Sequence, residues 1–582
     1  MSRARTARIA ALASSSGAAF FAVITIAACS SSSSDAPAAP VTQTTPDAGM
    51  VPNASDGAIN GNPVATPTLP TGRFRIGVWC GLPATQMTAA RMAEMASAGF
   101  TTTSYGCEGD TSSAAYNAQM LALANAQGMD AIILDPRVPA ALAGTDVANN
   151  LDGVVKDFGN LPGMAGYFVA DEPTAPFDNL ASIVTGLQTR DPAHFAYTNL
   201  LPVYASTAQL GEPTYDDYVS TYFSAAKPRI ISFDDYPFLS NGDDTTFFID
   251  LATMRAHALA AGVPFLQFVQ STDFAGHRAS NGPQKLWEGM QTLAYGGAGV
   301  SYFLYWAPPA DEGFGPSIID LDGNETSQYA DVKANNARLQ AFGRYLVAAK
   351  STSVFYNGKL QAGTTTRVPG ASVYLPNDTP MTVGTFSVND GAYAMLANPD
   401  YGDTVEVDVY LASKGVPESL DVATGKFVPM TVLAVDAEKG SKVHLSIAPG
   451  DGALVHLPGP IPTGAPGAEA FVGTVRANSG MLDVVDSSFG DGAIETASWN
   501  TCPDGYDFGG RVFTSNGFWL CVRHDLAAHT FYVGNVVADQ AEVYSVNGGT
   551  ATDVEAASWS TCPKGTLIGR RFESNGYWLC LD

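Results

Sequence analysis

Between about residues 74 and 350, short apolar runs alternate with segments of helical periodicity, and this alternation restricts the possible folds. Eight runs fit strands, and several are apolar throughout, as in parallel strands buried on both faces. Eight β-α alternations over this length predict a (β/α)₈ barrel across residues 73–350, in the α/β class. The predicted strands are Arg75–Trp79, Thr101–Tyr105, Ala131–Leu134, Gly166–Ala170, Phe195–Asn199, Arg229–Phe233, Pro264–Val269 and Gly299–Trp306.

The segments between these runs have apolar residues at helical spacing. Thr85–Ser97 ends before Gly99, a residue typical of helix C-termini, and Asp331–Ala349 closes the series. Asp244 or Thr245 is the predicted cap of another helix. The main alternative is an open, doubly wound sheet. No Gly-x-Gly-x-x-Gly and no phosphate-binding loop follows the first strand, which favours the barrel.

Polar and aromatic residues interrupt the apolar runs where the predicted strands end. A barrel of this kind carries its chemistry at the carboxyl ends of its strands, so these residues form the candidate site. Aromatic rings stack on sugar rings, and amides and carboxylates bind hydroxyl groups. The predicted substrate-binding residues are Trp79, Tyr105, Asp171, Asn199, Tyr236, Gln270 and Trp306.

Two strand ends supply carboxylates of the kind that glycosidic cleavage needs. The reaction uses one protonated carboxyl as the acid and a second carboxylate as nucleophile or base. Glu172, after strand four, is the predicted acid, because Asp171 and burial would raise the pKa of its carboxyl. Asp234, after strand six, is the predicted second group, and Asp235 is the alternative to it.

The segment 166–173, Gly-Tyr-Phe-Val-Ala-Asp-Glu-Pro, resembles the fourth-strand motif of clan A and related retaining glycoside hydrolases. The segments 233–237 and 302–306 are similar to the sixth and eighth strands of barrel glycosidases. The resemblance covers about residues 74–350 and implies that Glu172 is the acid/base. It implies no cofactor and no metal.

Strand seven departs from the clan A pattern, in which it ends in a nucleophilic Glu. Here residues 264–270 read Pro-Phe-Leu-Gln-Phe-Val-Gln, and Glu288 belongs to the following helix. The nucleophile of clan A enzymes therefore cannot be assigned to a residue of this strand from the resemblance. A second route is substrate-assisted cleavage of an N-acetylated sugar by Asp171, Glu172 and Tyr236, although the Asp-x-x-Asp-x-Asp-x-Glu signature of chitinases is absent.

Each candidate also has a structural interpretation. Glu172 could cap a helix or form a salt bridge, and Asp234 could be a turn residue. The rings of Trp79, Tyr105 and Trp306 could pack the barrel mouth. The amides of Asn199 and Gln270 could form hydrogen bonds to backbone groups of the loops.

Two further modules follow the barrel. Residues 351–458 alternate with period two between Gly, Asp and Pro turns, which predicts a β-sandwich that braces the barrel. After a linker at 459–468, a duplicated motif begins: Ser-Trp-Asn-Thr-Cys-Pro at 498–503 recurs as Ser-Trp-Ser-Thr-Cys-Pro at 558–563. Residues 469–582 are therefore predicted to form two small β-rich repeats. The aromatic residues beside each Cys could pack on the disulfide or bind sugar.

The first 72 residues predict export. Arg3, Arg5 and Arg8 precede a short apolar stretch that ends in Ile26-Ala27-Ala28-Cys29, which resembles a bacterial lipobox. Residues 1–29 are the predicted signal peptide, with Cys29 lipidated, and residues 30–72 are a disordered Ser/Ala/Pro tether. The chain should then be anchored by its lipid to the outer membrane or cell surface. The alternative is an ordinary signal peptide with a chance Cys.

An exported chain permits disulfides. Cys80 and Cys107 follow neighbouring strands and are predicted to pair, because a nucleophilic Cys would lack a nearby His. The repeats predict one pair each, Cys502 with Cys521 and Cys562 with Cys580. None of the Cys spacings indicates a zinc site.

The formal net charge of −26 argues against nucleic acid and anionic membrane surfaces as partners, and we expect a monomer. Two functions fit these features. The first is a glycoside hydrolase acting on an external poly- or oligosaccharide. The second is a non-catalytic carbohydrate-binding or adhesive surface lipoprotein, which the missing Glu of strand seven keeps open.

Overall fold

A computed structural model describes residues 73–309, 313–367, 371–436 and 439–459, together with ten separate strands between residues 470 and 581. The predicted signal peptide, the lipidation site Cys29, the tether at 30–72 and the linker after Gly459 lie outside the described residues. None of the helices in the described part is long and apolar enough to cross a membrane.

The first domain is the predicted barrel. Its eight parallel strands pair in the order β1-β8-β7-β6-β5-β4-β3-β2. Backbone hydrogen bonds from Thr101 N–H to the Ile76 oxygen and from Gly81 N–H to the Tyr105 oxygen link β1 and β2 and close the ring. The strands are β1 Arg75–Val78, β2 Thr102–Ser104, β3 Asp130–Ile133, β4 Met164–Asp171, β5 Phe195–Leu200, β6 Ile231–Phe233, β7 Phe265–Gln270 and β8 Gly299–Phe303.

Helices surround the ring, as the sequence pattern predicted, with shifted ends. The first begins at Ala89 because Thr88 caps it by accepting the Arg91 N–H at 3.3 Å. The helices are α1 Ala89–Ser97, α2 Ala114–Ala126, α3 Arg137–Leu142, α4 Val147–Phe158, α5 Asp178–Arg190, α6 Thr207–Leu210, α7 Tyr215–Ala226, α8 Phe247–Ala261, α9 Gly282–Ala294 and α10 Ser327–Leu346.

Two predicted boundaries were wrong. The cap of α8 is Thr246 rather than Asp244 or Thr245, and Asp244 instead accepts the Thr246 N–H at 3.2 Å. The last barrel strand ends at Phe303, three residues before the predicted end at Trp306. Trp306 is apolar like the strand, but it forms an isolated bridge with Ile319 outside the barrel sheet.

The predicted disulfide between Cys80 and Cys107 is confirmed, with a Cα–Cα distance of 4.8 Å. Cys80 follows β1 and Cys107 follows β2, so the bond joins two neighbouring loops at the carboxyl end of the barrel. Of the repeat cysteines, Cys521 is disulfide-bonded. Cys502 and Cys562 lie outside the described residues, and the pairings predicted for the repeats stay predictions.

The second domain is a β-sandwich. Its six-stranded sheet has the order β9-β11-β12-β18-β14-β15, and its four-stranded sheet has the order β10-β13-β17-β16. Alternating residues such as Val407, Val409 and Leu411 point into the core between the sheets. The strands are β9 Lys350–Asn357, β10 Val373–Tyr374, β11 Met381–Val388, β12 Gly391–Ala397, β13 Val405–Leu411, β14 Glu418–Asp421, β15 Lys426–Pro429, β16 Ala434–Asp436, β17 Gly440–Ile447 and β18 Gly452–Pro458.

The sandwich packs on α9 and α10 of the barrel. The Trp287 indole N–H donates to the Pro399 oxygen at 3.0 Å, and Arg338 forms an ion pair with Asp451. At Gly384 the two backbones touch, because a Cβ there would collide with the carbonyl oxygen of Ala294. The sandwich therefore braces the barrel on the side of strands β7 and β8.

The duplicated region forms two five-stranded antiparallel sheets with the same strand order, β21-β20-β19-β23-β22 and β26-β25-β24-β28-β27. Two contacts between the sheets mirror each other. The fourth strand of the first repeat, β22, lies against the second strand of the other, β25, and the second strand of the first, β20, lies against the fourth strand of the other, β27. The strands are β19 Ala470–Arg476, β20 Ser479–Val485, β21 Ala493–Thr496, β22 Tyr506–Val512, β23 Phe518–Arg523, β24 Phe531–Val537, β25 Gln540–Asn547, β26 Thr550–Asp553, β27 Thr566–Arg571 and β28 Tyr577–Leu581.

Candidate active site

Glu172 is held in an unusual backbone conformation directly after β4. Its φ is 44°, in the left-handed region that residues other than Gly seldom occupy. The Glu172 N–H donates to the Asn199 oxygen at 2.9 Å, which fixes this turn against β5. Such a conformation costs about 1–3 kcal/mol and persists only where the surroundings enforce it, often at functional sites.

Asn199 is oriented by a chain of hydrogen bonds from neighbouring strands. The Tyr197 hydroxyl donates to Ser232 Oγ at 2.9 Å, and Ser232 Oγ donates to Asn199 Oδ1 at 3.0 Å. The amide nitrogen must therefore point the other way, where Nδ2 donates to Asp171 Oδ1 at 3.1 Å. It also makes a hydrogen bond to Asp234. Asn199 thus stabilises negative charge on two carboxyls.

Glu172 follows β4 and Asp234 follows β6, and the two carboxyls act on each other: the charge of Glu172 raises the pKa of Asp234, and Asp234 lowers the pKa of Glu172. Asp234 is 7% exposed, and its Oδ1 atom has no hydrogen-bond partner. The predicted pair is therefore brought together at the carboxyl end of the barrel.

The surroundings keep protons on these groups. Burial raises the pKa of Asp171 to about 6. Burial and then the charge of Asp171 raise the pKa of Glu172 to about 7. The pKa of Asp234 is raised well above its usual value by burial and by the charges of Glu172 and Asp171. A carboxyl able to act as an acid near neutral pH is what this environment supplies.

Aromatic rings form a floor beneath the carboxyls. Trp79 makes edge contacts with Tyr105, Phe168 and Phe268, with ring centroids 5.5–5.7 Å apart. Beneath this floor is an internal cavity of about 20 Å³, room for about one water.

Tyr105 brings an unsatisfied polar atom to this floor. Its hydroxyl is buried without a hydrogen-bond partner, and Asp171 is the nearest contributor of charge to it. Tyr236 is 6% exposed and packs against Phe274 and Phe303 beside the site. Tyr105 and Tyr236, which were both predicted to bind substrate, therefore lie beside the carboxyls.

Asp235 and its neighbour Asp234 lie among different side chains. Asp235 is fully buried, neither of its carboxyl oxygens has a hydrogen-bond partner, and the charges that act on it come from Asp250 of α8, Asp244 and Glu288. Burial raises the pKa of Asp235 well above its usual value. The structure thus assigns the place beside Glu172 to Asp234, and Asp235 becomes a link between β6 and α8.

Gln270 does not face the site. Its side-chain oxygen accepts the Phe238 N–H at 3.1 Å, and its nitrogen donates to the oxygens of Phe238 and Arg278 at 3.1 and 2.6 Å. It is fully buried. The prediction of a sugar contact is corrected here: the amide satisfies loop backbone, the alternative interpretation of the sequence. Glu288, as expected, stays outside the site and accepts the Gln270 N–H at 3.1 Å.

Trp306 is also covered rather than open to a ligand. The guanidinium of Arg91 lies 5.3 Å from its ring centroid, Gly323 packs against the ring, and the residue is 3% exposed. Its contribution is to hold the loop after β8 against α1. The prediction of a stacking platform at Trp306 therefore does not fit the structure.

Tyr204 is a site residue that the sequence analysis missed. The residue is 39% exposed, and burial of its hydroxyl, followed by the charges of Asp235, Asp234, Asp250 and Glu172, raises its pKa. It lies four residues after β5, beyond the strand ends where candidates were sought. An aromatic residue in the loop after a barrel strand was the available signal.

Within the described ranges, no three His, Cys, Asp or Glu side chains converge so as to hold a metal ion. No model of a known protein family matches the chain, and none of the curated proteins is similar in sequence.

Solved structures show a distant similarity to this chain. A β-galactosidase from the psychrophilic Marinomonas ef1 is 10% identical, with 48% of this chain and 62% of that chain covered, and a TM-score of 0.36. This chain thus spans about three fifths of that protein. A catalytic mutant of the GH42 β-galactosidase Gan42B from G. stearothermophilus is 10% identical, with 67% and 99% covered and a TM-score of 0.46. Xylanase 10B from Thermotoga maritima is 11% identical, with 45% and 95% covered and a TM-score of 0.32.

Proposed function

We propose that the barrel is a retaining glycoside hydrolase in which Glu172 is the acid/base and Asp234 is the nucleophile. The observation that carries this proposal is that the carboxyls after β4 and β6 act on each other's pKa at the carboxyl end of the barrel. Inverting enzymes need about 6.5–9.5 Å between the carboxyls for a water, whereas retaining enzymes need about 5–5.5 Å. Because the two carboxyls act on each other's pKa, we assign them the shorter separation.

The reaction follows from the proton that the pair holds. A sugar entering between the carboxyls separates them, and Asn199 favours the anion on Asp234 because its amide donates there. Glu172 keeps the proton and gives it to the glycosidic oxygen as the bond from that oxygen to the anomeric carbon breaks. The Asp234 carboxylate forms an ester to the anomeric carbon. Glu172, now ionised, takes a proton from water, which cleaves the ester and restores Asp234.

The test is hydrolysis of a panel of polysaccharides and aryl glycosides by the chain lacking residues 1–29. Glu172→Gln and Asp234→Asn should each lower the rate by about a thousandfold or more, and the first sugar released should keep its anomeric configuration by NMR. Asp378→Asn, at an exposed sandwich residue, is the matched control. Inversion of configuration, or full activity in both site variants, would contradict the proposal.

The second candidate is a non-catalytic carbohydrate-binding or adhesive lipoprotein. The observation that favours it is strand β7, which ends in the buried amide of Gln270 and carries no carboxylate. Glycan binding that persists unchanged in Glu172→Gln, without cleavage of any glycan bound, would establish this function instead.

We also propose that the protein is exported and anchored through lipid on Cys29, with its substrate outside the cell. The lipobox-like sequence supports this location. Metabolic labelling with a radioactive fatty acid should mark the wild type and not Cys29→Ala. Labelling of both would place the lipid elsewhere.

A further inference from the structure

The seam between β1 and β2, where the barrel closes, differs from its other joints. The other neighbouring strands are joined by ladders of parallel pairing, whereas β1 and β2 are the two ends of the sheet. Backbone hydrogen bonds from Thr101 and Gly81 cross the seam. Side chains add to them: the Thr101 hydroxyl accepts the Ile76 N–H at 2.8 Å, and the Ser104 hydroxyl donates to the Val78 oxygen at 2.7 Å. The seam is therefore the joint of the barrel with the least strand pairing.

The Cys80–Cys107 disulfide crosses this seam beyond the ends of both strands. The loops that it joins touch backbone to backbone, because Cβ atoms on Gly81 and Gly106 would each collide with a carbonyl oxygen of the opposite loop. Cys80 has a φ of 51°, which residues other than Gly seldom adopt, so its surroundings must enforce this backbone. The disulfide is the covalent part of those surroundings.

The two loops also carry two rings of the aromatic floor. Trp79 immediately precedes the first cysteine, and Tyr105 lies two residues before the second. Both rings pack on Phe168 of β4, with centroids 5.6 and 5.1 Å from its own. Glu172 follows directly after the last residue of β4. A shift of the loops after β1 and β2 would therefore move the floor against the strand that leads to the acid.

We propose that the Cys80–Cys107 disulfide is a positioning element of the active site, and that the enzyme works at its full rate only while this bond is formed. The inference rests on the proposed function for the reaction that is slowed. Forming the bond takes two electrons and two protons from the thiols, and a protein or small-molecule disulfide accepts them by exchange and becomes two thiols. Cys107 is half-buried whereas Cys80 is 4% exposed, so a thiol reaches the Cys107 sulfur more readily. A chain exported as proposed above becomes fully active only on reaching an oxidising compartment.

The experiment compares three forms of the chain lacking residues 1–29: oxidised, reduced with dithiothreitol, and the double variant Cys80→Ser/Cys107→Ser. Kinetics are measured at a temperature at which circular dichroism shows all three folded. KM for the aryl glycoside that the oxidised form hydrolyses best should rise about tenfold or more in the other two, because the floor is no longer held in place. Re-oxidation should restore the reduced protein.

A disulfide that only stabilised the fold would change the amount of folded enzyme, and hence the apparent kcat, but it would leave KM as it was. An unchanged KM therefore contradicts the inference. Reduction of the folded protein keeps this comparison available if the double variant does not fold. Dithiothreitol also reaches the disulfide of Cys521, so it is applied to the double variant as a control. If it raises KM there as much as in the wild type, the effect comes from the repeats and the inference fails.

The two proposals fail separately. Hydrolysis with the same KM in the oxidised and reduced forms leaves the proposed enzyme standing and contradicts this inference. If no glycoside is hydrolysed, the proposed enzyme fails, and hydrogen exchange decides on the disulfide. The amides of Thr101 and Gly81, which are hydrogen-bonded across the seam, should then exchange about tenfold or more faster after reduction. Exchange at an unchanged rate would show that the disulfide does not hold the seam.

Discussion

Asp171 controls the proton affinity of Glu172 through its charge. It is the only charged side chain that raises the pKa of Glu172, beyond the effect of burial. Asp171→Asn removes this charge and keeps the shape, so the pKa of Glu172 should fall by about one unit or more. The alkaline limb of the pH dependence of kcat/KM should move to lower pH by that amount. An unmoved limb would show that Glu172 is not the group that titrates.

Gln270 gives a prediction about stability rather than binding. Gln270→Ala removes the side-chain partner of the buried Phe238 N–H and of the Arg278 oxygen, whereas the Phe238 oxygen still accepts the Arg278 N–H at 2.9 Å. We expect a loss of about 3 kcal/mol in the free energy of unfolding, measured by urea denaturation. Unchanged stability together with weakened glycan binding would restore the sugar-contact role.

These residues also show how far sequence reasoning reaches. Glu172, Asp234 and Asn199 were found because polar residues at strand ends meet in a barrel. Asp234 was predicted ahead of Asp235, but the sequence gives no physical ground for that order, because adjacent residues point in opposite directions and the sequence does not say which faces the axis. Gln270 was wrongly predicted to contact a sugar, because the sequence does not show whether an amide side chain binds a sugar or forms hydrogen bonds to a loop.

At the scale of elements, the eight strands were predicted within a few residues because strands buried on both faces are apolar throughout. Strand β8 was predicted too long for the same reason. Its apolar run continues through Leu304 and Tyr305, which are buried although the strand ends at Phe303. An apolar run in the sequence indicates that the residues are buried, but it does not indicate where the strand ends.

The link between β6 and α8 should make stability fall as the pH rises. Burial raises the pKa of Asp250 to about 7 and that of Asp235 well above its usual value, whereas an unfolded Asp titrates at about 4. The native state binds more protons between these values, so the stability contributed at low pH is lost from about pH 4 to about pH 7.

Asp250→Asn keeps the shape of the protonated carboxyl and should flatten this pH dependence by roughly 1–3 kcal/mol. The midpoint of thermal unfolding, measured from pH 4.5 to pH 7.5, provides the check. The slope should decrease without vanishing, since Asp171, Glu172 and Asp234 act in the same direction. An equal slope in wild type and variant would show that the pair holds no proton in the fold.

At the scale of the whole molecule, barrel and sandwich behave as one packed body at the surface between α9 and β11. Gly384→Ala places a methyl group against the Ala294 oxygen, and the backbones must separate to accommodate it. We expect a loss of about 1–3 kcal/mol, seen by calorimetry as a lower midpoint of a single transition that includes both domains. Two transitions, with only the sandwich shifted, would contradict this coupling.

The reciprocal contacts of the two C-terminal repeats have an evolutionary consequence. β22 of one repeat meets β25 of the other and β27 meets β20 in return, although β22 also meets β26, so the two repeats face each other much as the subunits of a two-fold dimer do. A dimer of separate chains dissociates on dilution, whereas a fused one keeps its partner at a high effective concentration. Tandem duplication therefore makes the pairing of the two repeats independent of the concentration of the protein.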